Sequence, residues 1–270
     1  MKVTLKDGSF KEYDQPMSIY DIALDISEGL ARVACVGEID GEVKDLRTIV
    51  DKDCTLNILT FDSDEGKKAY RHTCAHVLAQ AVKNLYPDAK LTIGPAIDNG
   101  YYYDFDLPSL DRDALDAIEK EMKKIIKKGD RLERYTLSKD EAIKLMTERD
   151  EPYKVEMIKE HPDTDELSFY QQGDFIEFCA GPHLMSTKPI KAFKLTSSSG
   201  AYWRGDEHNK MLTRIYGTSF TKKADLEEYL NRMEEAKKRD HRKLGKELGL
   251  FMMREEGPGF PFFLPKGMVL

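Results

Sequence analysis

Two Asp-Gly pairs, Asp7-Gly8 and Asp40-Gly41, constrain the opening of this chain more tightly than any other feature. Each lies between short runs of strand-forming residues, "VTLKDGSFKEY" and "CVGEIDGEVKDL". Asp-Gly tolerates the positive φ angles of a two-residue hairpin turn, so each pair predicts two strands folded back on one another. Between them a helix is expected to begin near Ser18, with Asp21 three residues on as in a capping box. It presents Ile19, Ile22, Ala23 and Ile26 on one face. "CTLNILT" supplies a last strand. Strand, strand, helix, strand, strand, strand predicts a ubiquitin-like β-grasp over residues 1–62. "FDSDEG" (Phe61 to Gly66) reads as a polar linker.

The 270 residues allow about two domains. With 40% hydrophobic residues a packed core is available, and 34% charged residues with a net charge of -7 argue against a protein that coats nucleic acid by bulk charge. A local basic patch stays open, because binding follows local charge. The charged start "MKVTLKDGSFKEYD" lacks the apolar stretch of a secretory signal, and no run approaches the roughly 18 apolar residues that span a bilayer. A cytoplasmic protein with no membrane partner is expected. Cys35, Cys54, Cys74 and Cys179 are widely spaced, which predicts free thiols or ligands rather than disulfides.

The second segment, residues 63–221, opens with a helix expected over Lys67 to Leu85. Tyr70, Cys74, Val77, Leu78, Ala81, Val82 and Leu85 recur at helical spacing. At about 100° per residue they share one direction, and His72 and His76 fall on nearly the opposite face with Ala75, Ala79 and Lys83. Further helices are expected at Leu115 to Lys128, ended by Gly129, and at Lys139 to Arg149, opened by Ser138 with Glu141. "DFIEFC" and "AFKLTS" read as strands, making this an α+β domain. Residues 222–248 are expected to form one long charged linker helix, with seven Lys/Arg against three Asp/Glu from Arg232 to Lys246. The remainder, 249–270, mixes Gly and Pro with apolar groups. It could not bury Phe260, Phe262, Phe263 and Leu264 alone, so it is expected to begin a further, truncated domain.

His72 and His76, at i and i+4, project together from one helix face. They are two surface histidines or half of a site. A zinc-protease reading would need Glu after the first His, and Thr73 stands there. "CAGPH" adds Cys179 and His183, and its Gly181-Pro182 favours a turn that presents thiol and imidazole together. The four side chains form a plausible tetrahedral zinc shell, and equally a metal-free set of hydrogen-bonding and acid/base groups around a water. In "IGPAIDNGYYYDFD", Gly94 and Gly100 allow a backbone wall close to a ligand; the plainer reading is a hairpin with aromatic packing. "GAYWRGDEHNKMLTRIYG" interleaves Trp203 with Arg204, Lys210 and Arg214. That pattern suits nucleic-acid stacking or a solvated loop around a buried Trp.

These motifs, with "RHTCAHVLAQAV" and "KRDHRKLGKELGLF", occur in the order and spacing of the amino-terminal half of bacterial threonyl-tRNA synthetases, which the whole chain resembles. Residues 1–62 resemble the TGS domain of that family. The resemblance implies an editing domain, including a second additional domain, that hydrolyses serine wrongly attached to tRNA(Thr). It places His72, His76, Lys154 in "EPYKVEMI", Glu177, Cys179 and His183 in the editing site, with Glu177 where the family commonly has Asp. Tyr103 would lie near the aminoacyl end, and Gly94, Arg204 and Lys210 would touch substrate. Zinc at His72, His76, Cys179 and His183 is one option. ATP, magnesium and a catalytic zinc would belong to an absent aminoacylation domain, so this chain is not expected to ligate threonine. The parent would be a homodimer and this piece a monomer. The alternatives are a zinc-dependent hydrolase or structural zinc module, and a non-enzymatic tRNA-binding adaptor. No G-x-x-x-x-G-K-[ST] supports a GTPase reading.

Overall fold

The computed structural model describes residues 1–270 except 163–165, 255, 256, 258 and 270. It divides into two compact units, 1–221 and 222–270.

The first unit opens with β1 (Lys2–Leu5), β2 (Phe10–Glu12), β3 (Met17–Ser18), α1 (Ile19–Ile26), α2 (Glu28–Val33), β4 (Ala34–Ile39), β5 (Glu42–Lys44), β6 (Ile49–Val50) and β7 (Cys54–Thr60). Five strands form one sheet in the order β2-β1-β7-β4-β5, with β1 and β7 parallel at its centre. Both Asp-Gly hairpins are present. Ile39 pairs with Glu42 across Asp40-Gly41, and both turn residues have positive φ. Ser18 caps α1 by accepting from the Asp21 amide. Ile19 and Ile22 pack with Val3, Leu46 and Leu56. This is the expected β-grasp, with the short helix α2 added.

The expected linker is instead structured. Ser63 accepts from the Gly66 amide and caps α3 (Asp64–Leu85), so the helix starts before Lys67. Asp64 and Glu65 in its first turn suit the positive end of the helix dipole. The Phe61 ring meets Tyr70 edge-on at 4.8 Å.

Beyond α3 come β8 (Lys90–Leu91), β9 (Ala96–Ile97), β10 (Gly100–Asp106), α4 (Arg112–Lys128), β11 (Leu132–Leu137), α5 (Lys139–Glu148), α6 (Pro152–Glu160), β12 (Leu167–Gln172), β13 (Phe175–Phe178), β14 (Ala192–Tyr202) and β15 (Met211–Phe220). A sheet in the order β14-β15-β10-β8, with β9 on β10, backs α3 and α4. A second sheet, β11-β12-β13, is covered by α5 and α6, where Met146 and Ile158 meet Leu167 and Phe169. Ser138 and Glu141 form the expected capping box of α5. The apolar stripe of α3 points into the core as expected, with Tyr70, Cys74, Val77 and Leu78 essentially inaccessible, although Leu85 is exposed. The opposite face is not free: Ala75, His76 and Ala79 are buried as well. All four cysteines are free thiols.

The second unit corrects the single linker helix. The stretch is two helices, α7 (Lys223–Lys238) and α8 (His241–Glu247), followed by a hairpin of β16 (Phe251–Met253) and β17 (Pro261–Phe263). The break falls at Asp240. Its carboxylate accepts from the Arg242 amide at 2.8 Å and holds the Arg242 guanidinium at 2.9 Å. A side chain that caps a new helix competes with continuation of the old one. Phe260, Phe262 and Phe263 are exposed within this unit. Glu255, Glu256, Pro258 and Leu270 of the expected truncated domain lie outside the described residues. Among the described residues, no helix is long and apolar enough to cross a membrane.

Leu78 is fully buried at the centre of the larger core. Leu78→Ala is expected to destabilise the first unit by about 2–5 kcal/mol, measured as a shift of its urea-unfolding midpoint.

Candidate active site

Four side chains from two elements converge in one cluster, three of them facing a cavity. α3 brings His72 and His76, and the turn after β13 brings Cys179 and His183. Their ligand atoms all lie within 4.8 Å of one another. Cys179 Sγ stands 3.4 Å from His72 Nε2 and 3.3 Å from His183 Nε2. The His183 ring is 4.2 Å from that of His72 and 4.0 Å from that of His76. The turn is shaped by Gly181, whose φ is +74°; a Cβ there would fall 2.1 Å from the Tyr170 hydroxyl. Only glycine satisfies both the backbone angle and the close approach.

Hydrogen bonds fix the His183 tautomer. Thr73 Oγ1 donates to the Ala69 carbonyl at 2.8 Å and accepts from the Leu184 amide at 3.0 Å. With its only proton committed, Thr73 Oγ1 meets His183 Nδ1, 3.3 Å away, as an acceptor. Nδ1 therefore carries the proton, and Nε2 faces Cys179 with a lone pair.

Burial sets the charge of the cluster. Desolvation holds His72 down to about 4, with the Lys154 charge adding to it. Desolvation, then repulsion from neighbouring groups, pushes His76 and His183 well below 6.5. Desolvation raises the Cys179 thiol to about 12. At neutral pH the cluster is three uncharged imidazoles and a protonated thiol. Such imidazoles accept hydrogen bonds from a water but are weak proton acceptors.

A charged group faces them across the cavity. Lys154 on α6 pairs with Glu177 Oε1 on β13, both almost completely buried. Tyr103 on β10 donates to Glu177 Oε2 at 2.6 Å. Desolvation, then the Glu177 charge, raises the Tyr103 hydroxyl well above 10, so it stays a donor. Glu177 thus uses one oxygen for each partner. Gly94 lies flat on the Tyr103 ring, where a Cβ would fall 2.1 Å from a ring carbon.

The cavity measures about 640 Å³, and His72, His76, Gly94, Tyr103, Lys154, Glu177 and Cys179 all line it. Arg204 and Lys210 do not. Arg204 pairs with Glu156 and Glu160 on α6 at 2.7 and 2.5 Å, Lys210 pairs with Asp106 at 2.7 Å, and Trp203 is buried. That segment is a loop built around a Trp, with its cations neutralised by neighbouring carboxylates. Two residues the sequence reading missed are Thr73 and Tyr170, whose ring lies 4.5 Å from that of His183. Thr73 stands between the two α3 histidines, so a helical wheel could have found it; Tyr170 carries no sequence signal.

Residues 1–60 match the TGS domain. Residues 167–216 match the threonyl and alanyl tRNA synthetase second additional domain. The chain carries both of these domains. Over its whole length it is 64% identical to a threonine–tRNA ligase of Acetivibrio thermocellus, 43% of which it covers. It is 60% identical to one of Clostridioides difficile, 42% of which it covers. The chain therefore spans under half the length of these relatives and corresponds to their amino-terminal region. His72, His76, Cys179 and His183 come from both sides of the boundary at residue 167, so the matched second additional domain supplies only half the cluster.

The buried imidazoles also predict acid sensitivity. Their folded-state pKa values lie below the unfolded value near 6.5, so the unfolded chain binds more protons as pH falls. Stability is full above about 6.5 and is lost as pH drops toward 4, on the order of 3 kcal/mol from His72 alone. Urea titrations between pH 7 and pH 4.5 are expected to show this slope, and His76→Gln to flatten it.

Proposed function

We propose that this cavity hydrolyses the ester of seryl-tRNA(Thr), releasing serine and free tRNA. The observation that carries the reading is the meeting of an uncharged, lone-pair-rich cluster with a buried Lys-Glu-Tyr group in one cavity. An ester carbonyl set between them is reached by a water from one side and by an ammonium donor from the other. His72 and His76, the two imidazoles that line the cavity, hold the water, whose oxygen bonds to the carbonyl carbon, while His183 braces Cys179 behind them. The Lys154 N–H groups not taken by Glu177 face the developing oxyanion. The carbon–oxygen bond to the ribose then breaks, and the proton lost by the water ends on the ribose oxygen. The weak basicity of desolvated imidazoles favours positioning the water over full removal of its proton. Cys179, protonated and hydrogen-bonded within the cluster, acts as a hydrogen-bonding group and not as a nucleophile, which would need a thiolate.

The need for such a site follows from physics. An aminoacylation pocket separates ligands that differ by one methyl by roughly 1–3 kcal/mol, so a second, hydrolytic site corrects the residue. We infer that tRNA(Thr) is the partner, that the piece acts as a monomer in the cytoplasm, and that threonine ligation, with its ATP, magnesium and zinc and its homodimer, belongs to the part of the relatives this chain does not span.

A zinc-holding site is the second reading, favoured by donor spacing. Tetrahedral zinc with bonds of about 2.0–2.3 Å needs donors roughly 3.3–3.8 Å apart, and Cys179 meets two imidazole nitrogens at 3.4 and 3.3 Å. His72, His76, Cys179 and His183 would hold the ion. Bound zinc would deprotonate the thiol and close the structure around the turn.

The deciding assay is deacylation of seryl- and threonyl-tRNA by this chain. Wild type is expected to release serine faster than threonine, and His72→Ala and Lys154→Ala each to lose at least about ten-fold in kcat. Cys179→Ser is expected to lose less, since it keeps a hydrogen-bonding group. Full activity in His72→Ala and Lys154→Ala overturns the assignment of hydrolysis to this cavity, and absence of hydrolysis by wild type overturns the hydrolytic reading. Stoichiometric zinc by mass spectrometry, with chelation abolishing activity, moves the assignment to the metal reading, and tRNA binding without hydrolysis moves it to an adaptor.

A further inference from the structure

The His183 backbone is held by the other domain. The loop between β5 and β6 of the β-grasp inserts two charged side chains beneath the "CAGPH" turn. Asp45 Oδ2 accepts from the His183 amide at 3.2 Å and from the Tyr170 hydroxyl at 2.9 Å. Arg47 reaches the carbonyl of His183 at 3.3 Å through Nη1 and those of Leu184 at 2.9 Å and Leu132 at 2.5 Å through Nη2. Its Nε donates again to Leu132 at 2.9 Å. The two side chains are themselves paired at 2.9 Å and are only 8% and 15% exposed.

We propose that the TGS domain is a working part of the hydrolytic site, with Asp45 and Arg47 as positioning residues for His183. The N–H and C=O flanking the His183 α-carbon are both bound by this one ion pair, so the pair fixes where the side chain leaves the backbone. Asp45 also anchors Tyr170, which presses against Gly181 and the His183 ring. Nothing in the clamp touches the cavity. Its effect on hydrolysis runs through the His183 imidazole, which must stand at hydrogen-bond distance from Cys179 and Thr73 at the same time. An orientation error of about 1 Å at such a group can lower turnover on the order of a hundred-fold. A guanidinium that binds three carbonyls at once is a shape lysine cannot reproduce, so Arg47→Lys removes part of the clamp without removing its charge.

The inference rests on the hydrolytic reading, and its test separates the two. The variants are Asp45→Asn, which keeps the size but replaces an acceptor oxygen by a donor, and Arg47→Lys. Leu56→Ala, in the β-grasp core and with no hydrogen bond to the clamp, controls for loss of domain stability. Three readouts are taken on the 270-residue chain: kcat and KM for seryl-tRNA deacylation, the thermal midpoint, and the nitrogen chemical shifts of the His183 imidazole by NMR. The expected result is a fall of about ten- to a hundred-fold in kcat for Asp45→Asn. KM stays within about three-fold, and the His183 signals leave the Nδ1–H pattern. Arg47→Lys is expected to fall between Asp45→Asn and wild type. Leu56→Ala lowers the thermal midpoint while kcat and the His183 signals stay as in wild type. Unchanged His183 signals in folded Asp45→Asn and Arg47→Lys overturn the proposal, as does an equal kcat loss in Leu56→Ala. If wild type does not hydrolyse seryl-tRNA, the NMR arm still decides whether the clamp positions His183, and only the function assigned to the cavity fails.

Discussion

The desolvation of the imidazole cluster is the condition on which the rest of this site depends. Charging any of the three rings would cost its own desolvation, and a second charge would repel the first across ring separations of 4.0–5.2 Å. The cluster is therefore neutral, and neutrality makes its nitrogens acceptors. That condition is produced by packing α3 on both faces. One face sinks into the sheet core through Tyr70, Cys74 and Leu78, and the other is covered by β12, β13 and the turn that follows. Ala75 and Ala79 are fully buried on α3 as well.

The charged half of the cavity obeys the opposite rule. Lys154 and Glu177 are buried as ions, which is tolerable only when each is paired and hydrogen-bonded. Tyr103 supplies Glu177 with its second partner, and Gly94 lets the Tyr103 ring lie against the chain. Nearby, Glu151 is also buried; desolvation raises its pKa while the Lys83 ion pair and the Leu91 amide oppose the rise. A neutral donor-acceptor cluster can share a cavity with this ion pair because the Lys154 charge itself favours the neutral imidazoles. A substrate that develops negative charge between them meets dipoles already aligned.

What the sequence disclosed follows the range of each signal. The Asp-Gly turns, the Ser18 and Ser138 caps and the apolar stripe of α3 are local, and each lies where the pattern predicts. The His72–His76 pairing was readable from helical spacing, and "CAGPH" from its chemistry. Their meeting was not readable from spacing, because 107 residues separate His72 from Cys179; only the family resemblance linked them. The misplaced expectations have physical causes. The supposed linker 61–66 is polar because its carboxylates suit a helix start. The long charged helix is interrupted because Asp240 caps as readily as it continues. Arg204 and Lys210 stand outside the cavity, beside carboxylates whose proximity the sequence alone does not display.

The same reasoning explains why a short turn can serve as one wall of a chemical site. Residues 179–185 lie outside regular strands and helices, and only their end is tied to β11, by the Leu132 amide on the Met185 carbonyl and the Arg131–Ser186 bridge, so most of the turn lacks ladder bonds. Their place is taken from three directions. Ser168 on β12 exchanges two bonds with Cys179, donating to its carbonyl at 2.7 Å and accepting its amide at 3.2 Å through the backbone. Thr73 on α3 accepts the Leu184 amide. Asp45 and Arg47, from the β-grasp, take the His183 amide and the carbonyls of His183 and Leu184. Each direction comes from a different packing layer, so the position of His183 reports on the assembly of all three. A turn held this way is accurate only when every layer is docked. That ties the small domain, which contributes no residue to the cavity, to the geometry inside it.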